Sequence, residues 1–117
     1  METALDLRGV RYRLGGDSPS TGFDCSGFVR FVFAQHQIEV PRTVAEQVAI
    51  GRAIKVDRVE AGDLLFFSTS TPGPSHVGIV IGGGEFVHAP GDGGVVRVDR
   101  VDTPYWRART VDARRVF

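Results

Sequence analysis

Apolar residues crowd into one nearly unbroken run in the first third of the chain, Phe28-Val29-Arg30-Phe31-Val32-Phe33-Ala34. The run is too continuous for a one-sided stripe, so it predicts a helix over residues 24 to about 35 that is buried on most sides. Its β-branched and aromatic residues make a strand the competing reading. Asp24 as N-cap and the polar Gln35-His36 at helical length favour the helix, and His36 is expected at the surface. Before this run, residues 2 to 8 predict a short helix stopped by Gly9, residues 10 to 14 read as extended, and residues 15 to 22 form a loop rich in turn formers. After it, Thr43 and Glu46 have capping-box spacing for a second helix that Gly51 ends. The period then falls to two, with strands expected at 53–56, 64–67, 77–81, 85–89, 95–98 and 110–113. Helices first and strands afterwards predict an α+β fold, N-terminal helices packed on a C-terminal antiparallel sheet.

The 117 residues suffice for one core, so residues 1–117 are expected to form a single domain. Fourteen basic residues balance fourteen acidic ones, and nothing in the net charge calls for a nucleic-acid partner or an acidic membrane face. No run has membrane-spanning length, and the first residues lack the basic and apolar regions of a signal peptide. The expectations are therefore a cytoplasmic protein, export without a cleaved signal, or a domain cut from a longer exported chain. One cysteine excludes an intramolecular disulfide and a Cys-rich zinc site. No metal or other cofactor is expected, because the histidines lack short ligand spacing. Arg107, Arg109, Arg114 and Arg115 read as a solvated face, and Trp106 beside Tyr105 as packing.

That cysteine sits in Gly22-Phe23-Asp24-Cys25-Ser26-Gly27-Phe28, where a loop becomes a buried element. A lone cysteine is commonly just a small buried hydrophobe. Small neighbours and a helix start point instead to a nucleophile, because unpaired N–H groups there favour thiolate over thiol. Such a thiol needs a base and a group to orient the base. His76 and His88 lie on successive predicted strands joined by Gly82-Gly83-Gly84. An effectively odd connection, for example three residues centred on Gly83, places Gly78 opposite His88 with His76 diagonally beside it; a strict two-residue turn separates them. Tyr12, ahead of the glycine-rich loop, fits equally a hydroxyl facing a cleft and a packed strand residue.

Tyr12, Gly15-Gly16, the Asp24-Cys25-Ser26-Gly27-Phe28 stretch, Pro41-Arg42-Thr43, Gly62 to Phe67, Ser75-His76-Val77-Gly78-Ile79 and Phe86-Val87-His88-Ala89 occur in an order that resembles the NlpC family of papain-like bacterial cell-wall cysteine peptidases. The resemblance runs from about Arg11 to the end. It implies Cys25 as nucleophile, His76 as general base and acid, and His88 as the polar third member. It also implies Tyr12 near the oxyanion site, with Asp24 and Ser26 holding the substrate's free α-amino group. The implied reaction is hydrolysis of peptidoglycan stem peptides or muropeptides at the γ-D-glutamyl–diamino acid bond, the diamino acid being diaminopimelate or lysine, through a thioester. The implied place of action is the cell wall, periplasm or extracellular space, and a monomer is expected. Two alternatives stand beside it: a papain-like acyltransferase or amidase, and a non-catalytic module that binds wall peptides.

Overall fold

A computed structural model of the chain describes residues 2–91 and 93–117. Short helix α1 (Glu2–Asp6) leads through two small paired strands, β1 (Asp17–Ser18) and β2 (Gly22–Phe23), into α2 (Cys25–Ala34). Helix α3 (Val44–Gln47) follows, then β3 (Arg52–Ala53), a single 3-10 turn at Val56–Arg58, β4 (Leu64–Phe67), β5 (His76–Gly82), β6 (Glu85–His88), β7 (Arg97–Arg100), α4 (Pro104–Arg109) and β8 (Thr110–Arg115). Six strands form one antiparallel sheet in the order β3-β8-β4-β5-β6-β7. No helix among the described residues is long and apolar enough to cross a membrane.

The α+β arrangement is as the residue pattern predicts, and α2 is a helix for the reason anticipated. Asp24 has extended backbone and accepts the Gly27 N–H at 2.8 Å, which satisfies one otherwise unpaired donor of the first turn. Phe28, Val29, Val32 and Phe33 are buried while Arg30 is exposed. Thr43 and Glu46 make both bonds of their capping box. Several boundaries differ from the residue pattern. The 53–56 strand is only Arg52–Ala53, and residues 10–14 contribute bridges at Arg11 and Tyr12 instead of a strand. The strand expected at 95–98 lies at Arg97–Arg100, and α4 was not anticipated. Arg115 is no surface charge: it makes a bidentate pair with the fully buried Asp63, at 2.7 and 2.8 Å.

The sheet is covered on both faces. Leu64, Phe66, Val77, Ile79 and Val87 meet Phe28, Val29, Val32 and Phe33 of α2 on one side. Leu65, Phe67, Val80, Phe86 and Ala113 meet Trp106 of α4 on the other. This explains why β4 is an unbroken apolar run where a half-exposed strand would alternate. The hinge between α2 and the N-terminal loop is tight: a Cβ on Gly27 would lie 2.2 Å from the Gly16 carbonyl oxygen. Alanine there would gain about 1 kcal/mol of helix propensity, but a backbone clash in a packed site costs about 1–3 kcal/mol, so sterics win. We expect Gly27→Ala to lower the urea midpoint despite the better helix former, and an unchanged or raised midpoint would contradict this packing.

Candidate active site

Cys25 is the first residue of α2, and its half-buried side chain touches the α2-side core. Its sulfur lies within hydrogen-bonding reach of the Val77 N–H. The ladder explains why that donor is available. Val80 donates its N–H to Asp63 on the β4 side, so alternation turns the Val77 N–H toward β6, and pairing with β6 begins only at Ile79↔Val87. The start of β5 therefore has an open backbone donor next to His76, and the N-terminus of α2 delivers sulfur to it.

The two histidines meet through a combination that residue counting could not separate. Gly82 pairs with Glu85, leaving Gly83 and Gly84 as a two-residue turn with positive φ at both. A register shift between Val80 and Gly82 inserts the extra residue that restores parity. The register of Ile79↔Val87 then carries Gly78 to His88. A Cβ on Gly78 would stand 2.7 Å from Phe86 Cδ2 and 3.2 Å from His88 Cβ, so the missing side chain leaves room for the Phe86 ring and the base of His88. His76 Nε2 and His88 Nδ1 are 2.7 Å apart.

The network continues beyond His88. His88 Nε2 lies 2.7 Å from Asp99 Oδ2 on β7, and Arg97 Nε donates to the same oxygen at 2.8 Å. Asp99 pairs with Phe86, so it projects on the same face as His88. Trp106 stacks against His76 and stands edge-on to His88, while Phe67 and Phe86 flank the two imidazoles. His76 is 4% exposed and His88 fully buried. Burial, with a smaller contribution from His88, lowers the His76 pKa to about 3. Burial likewise lowers that of His88 to about 4, against the opposing pull of Asp99. Both imidazoles are neutral at neutral pH.

The thiol corrects an expectation. Burial pushes the Cys25 pKa up, the charge of Asp24 adds to the rise, and the N–H groups of Val77, Ser26 and Cys25 itself only partly offset it. Helix-start donors do favour the anion here, but desolvation outweighs them, and the neutral His76 supplies no positive charge.

The other residues singled out in the sequence surround this centre. Asp24 accepts from Gly27 and Gly15 N–H and from both Nη atoms of Arg42, each Arg42 contact at 3.0 Å. These donors occupy the roughly four acceptor positions of a carboxylate. Arg42 Nη1 also donates to Ser26 Oγ at 3.0 Å, and the buried Gln47 holds the Ser26 carbonyl. Tyr12 is half-buried, bridges Phe23 in parallel fashion and packs against the α2-side core. His36 is exposed and hydrogen-bonds Thr3, remote from the pair. Asp99 and Arg42 were not assigned roles from sequence. A strand drawn through residue 100 would have placed Asp99 on the His88 face, whereas nothing local linked Arg42 to Asp24.

A cysteine opening a helix that packs on an antiparallel sheet, with a histidine opening the strand beneath that helix and held by a second polar residue, defines a papain-like thiol-hydrolase architecture. The NlpC/P60 family model matches residues 9–115, and the chain belongs to that family. It is 44% identical over 118 residues to the murein DD-endopeptidase MepS/murein LD-carboxypeptidase of Escherichia coli, covering 100% of this chain and 61% of that one. It is 38% identical over 117 residues to the gamma-DL-glutamyl hydrolase of Bacillus subtilis, covering 97% of this chain and 28% of that one. A crystal structure of an NlpC/P60 family protein from Bacillus cereus superposes with a TM-score of 0.90 at 32% identity, over 98% of this chain and 38% of that one. The NlpC/p60 domain of the peptidoglycan hydrolase SagA superposes with a TM-score of 0.82 at 39% identity, over 96% and 92%. The chain thus spans about six tenths of the curated MepS relative it matches.

Two outcomes are expected from these electrostatics. Alkylation of Cys25 by iodoacetamide should rise through the alkaline range with its inflection above the usual cysteine value of about 8.5; a plateau already reached at pH 6 would show a preformed thiolate instead. His76 and His88 bind protons in the unfolded chain near pH 6.5 but in the folded one only near 3 and 4. Unfolded chains then hold more protons within that window, so this contribution to stability is full above about pH 6.5 and declines as pH falls toward 4. Urea midpoints at pH 7, 6, 5 and 4 should fall in that order, and less steeply in His76→Phe.

Proposed function

We propose that residues 1–117 are one catalytic domain of a cysteine endopeptidase that hydrolyses peptidoglycan stem peptides, working as a monomer in the cell wall, periplasm or extracellular space. The observation that carries this reading is the placement of the Cys25 sulfur against the Val77 N–H, one residue from a histidine whose Nε2 is engaged by His88. That engagement leaves Nδ1 of His76 as the nitrogen that serves the thiol. The murein endopeptidase name of the E. coli relative supports the substrate class, and the gamma-DL-glutamyl hydrolase name of the B. subtilis relative supports a γ-glutamyl bond.

The raised thiol and the neutral imidazole set the order of events. His76 takes the Cys25 proton as sulfur attacks the carbonyl, instead of starting from an ion pair. Backbone N–H groups at the start of α2 face the developing oxyanion, with Tyr12 nearby. His76 then gives its proton to the departing amine, leaving a thioester that water, deprotonated by His76, hydrolyses. His88 keeps the His76 ring oriented throughout. Arg42 balances the Asp24 charge that would otherwise oppose negative charge on sulfur. Recognition of the substrate's free amine by Asp24 and Ser26 stays within this proposal, and the amine would have to displace a donor from Asp24. Arg42, 29% exposed, is the donor able to yield.

The bond assigned is γ-D-glutamyl–diamino acid. A second reading, cleavage between two D-centres, is favoured by the DD-endopeptidase name of the 44% identical relative. Mass spectrometry of products from a defined tetrapeptide and from a cross-linked dimer separates the two, and also separates hydrolysis from transfer to an amine. Cys25→Ala should abolish turnover without unfolding the chain, and His76→Ala should remove most of it. His88→Ala should cost less, on the order of 10²-fold, because an orienting group is more replaceable than a base. Muropeptide cleavage by Cys25→Ala at the wild-type rate would remove the assigned nucleophile, whereas a wild type that binds muropeptides without cleaving them would leave binding as the surviving function.

A further inference from the structure

We propose that Asp99 is a positioning residue that fixes the tautomers of both histidines and so keeps His76 Nδ1 unprotonated. This rests on the reading of His76 as the base. An ionised carboxylate only accepts, so the 2.7 Å contact with Asp99 Oδ2 places the proton of neutral His88 on Nε2. His88 Nδ1 is then a lone pair, and the 2.7 Å contact with His76 is made by a proton on His76 Nε2. His76 Nδ1 is left as the acceptor. The reverse arrangement sets the His88 Nε2 lone pair against the carboxylate at 2.7 Å and leaves His76 with a donor at Nδ1, which cannot take a proton from a thiol.

Asp99 is itself held in the accepting state. Burial opposes its ionisation, but the hydrogen bonds from His88 and Arg97 prevail and its pKa lies below the usual value. Orientation is supplied elsewhere: Phe67, Phe86 and Trp106 enclose the rings, and Gly78 leaves room for Phe86 to do so. What the aromatic cage cannot decide is which nitrogen carries each proton; among the described residues, Asp99 is the carboxylate hydrogen-bonded to the pair. Asp99 also lines a surface pocket with Pro90, Thr103, Tyr105 and Trp106. Water entering from that side in its absence could donate or accept, and the proton pattern would lose its direction.

Long-range proton–nitrogen spectra of the resting, 15N-histidine-labelled protein test this without substrate. His76 and His88 should both appear as Nε2–H tautomers, and Asp99→Ala should convert them to a mixture. On a muropeptide that the wild type cleaves, Asp99→Ala should lower kcat/KM by roughly 10- to 100-fold, less than the roughly 10⁴-fold loss known for a wrong tautomer directly beside a base, with KM moving less than about threefold. Asp99→Asn, which can keep an oxygen under Arg97, should lose less. Asp99→Ser replaces the alanine variant should that one not fold. A wild-type His76 protonated on Nδ1, or a folded Asp99→Ala or Asp99→Ser variant that keeps both wild-type tautomers, would overturn the proposal. The expected tautomers in a protein that cleaves no muropeptide would instead overturn the functional reading and leave the role of Asp99 standing.

Discussion

The centre depends on a diagonal contact between two imidazoles across a glycine. His76 and His88 occupy successive strands on the same face of the sheet, 2.7 Å apart, and Gly78 between them leaves room for the Phe86 ring and the base of His88. Much of the surrounding architecture follows from keeping that contact dry. Trp106 arrives on α4 to close the face, Phe67 and Phe86 wall it, and β7 brings the carboxylate that completes the chain of hydrogen bonds. Desolvation then makes both rings neutral, and neutrality makes them fit to pass protons instead of storing charge.

The same burial explains why the thiol is not a resting thiolate. A helix N-terminus is commonly read as lowering a cysteine pKa, and the donors at Ser26 and Cys25 act in that direction. Yet the sulfur sits where water is scarce and a carboxylate adjoins it, and those effects are larger. Asp24 is there for the fold: it caps α2, ties the Gly15 backbone and receives Arg42. Arg42 reconciles the structural need for a carboxylate with the chemical need for an electron-rich sulfur.

The features legible in the sequence were those decided over short distances. The cap at Asp24, the Thr43–Glu46 box, the buried β4 run and the α+β order all follow from neighbours a few residues apart. The conjunction of His76 and His88 was visible only as a condition on loop parity, because a bulge near Gly82 has no local spelling that distinguishes it from a longer turn. Features that depend on distant partners were hidden. Arg42 and Asp24 lie eighteen positions apart, and Arg115 and Asp63 fifty-two, so Arg42 had no visible partner and Arg115 read as surface charge. The direction of the Cys25 shift was hidden for a related reason, since it is a balance of burial against donors and burial is a property of the whole fold.

Asp99 shows how a boundary error of two residues can conceal chemistry. Apolar Val95, Val96 and Val98 draw a predicted strand that stops at residue 98, whereas the sheet continues through Arg100. The final pairings, Phe86↔Asp99 and Glu85↔Arg100, extend the ladder with residues chosen for charge, not for strand propensity. Such a strand end is stabilised from outside itself, by Arg97 and by the buried histidine that Asp99 serves. A polar residue that breaks the strand pattern while standing beside a buried imidazole is therefore better explained by the imidazole's proton than by the strand. In this fold the reach of the hydrogen-bonded chain from His76 to Asp99 and the length of β7 have a common cause.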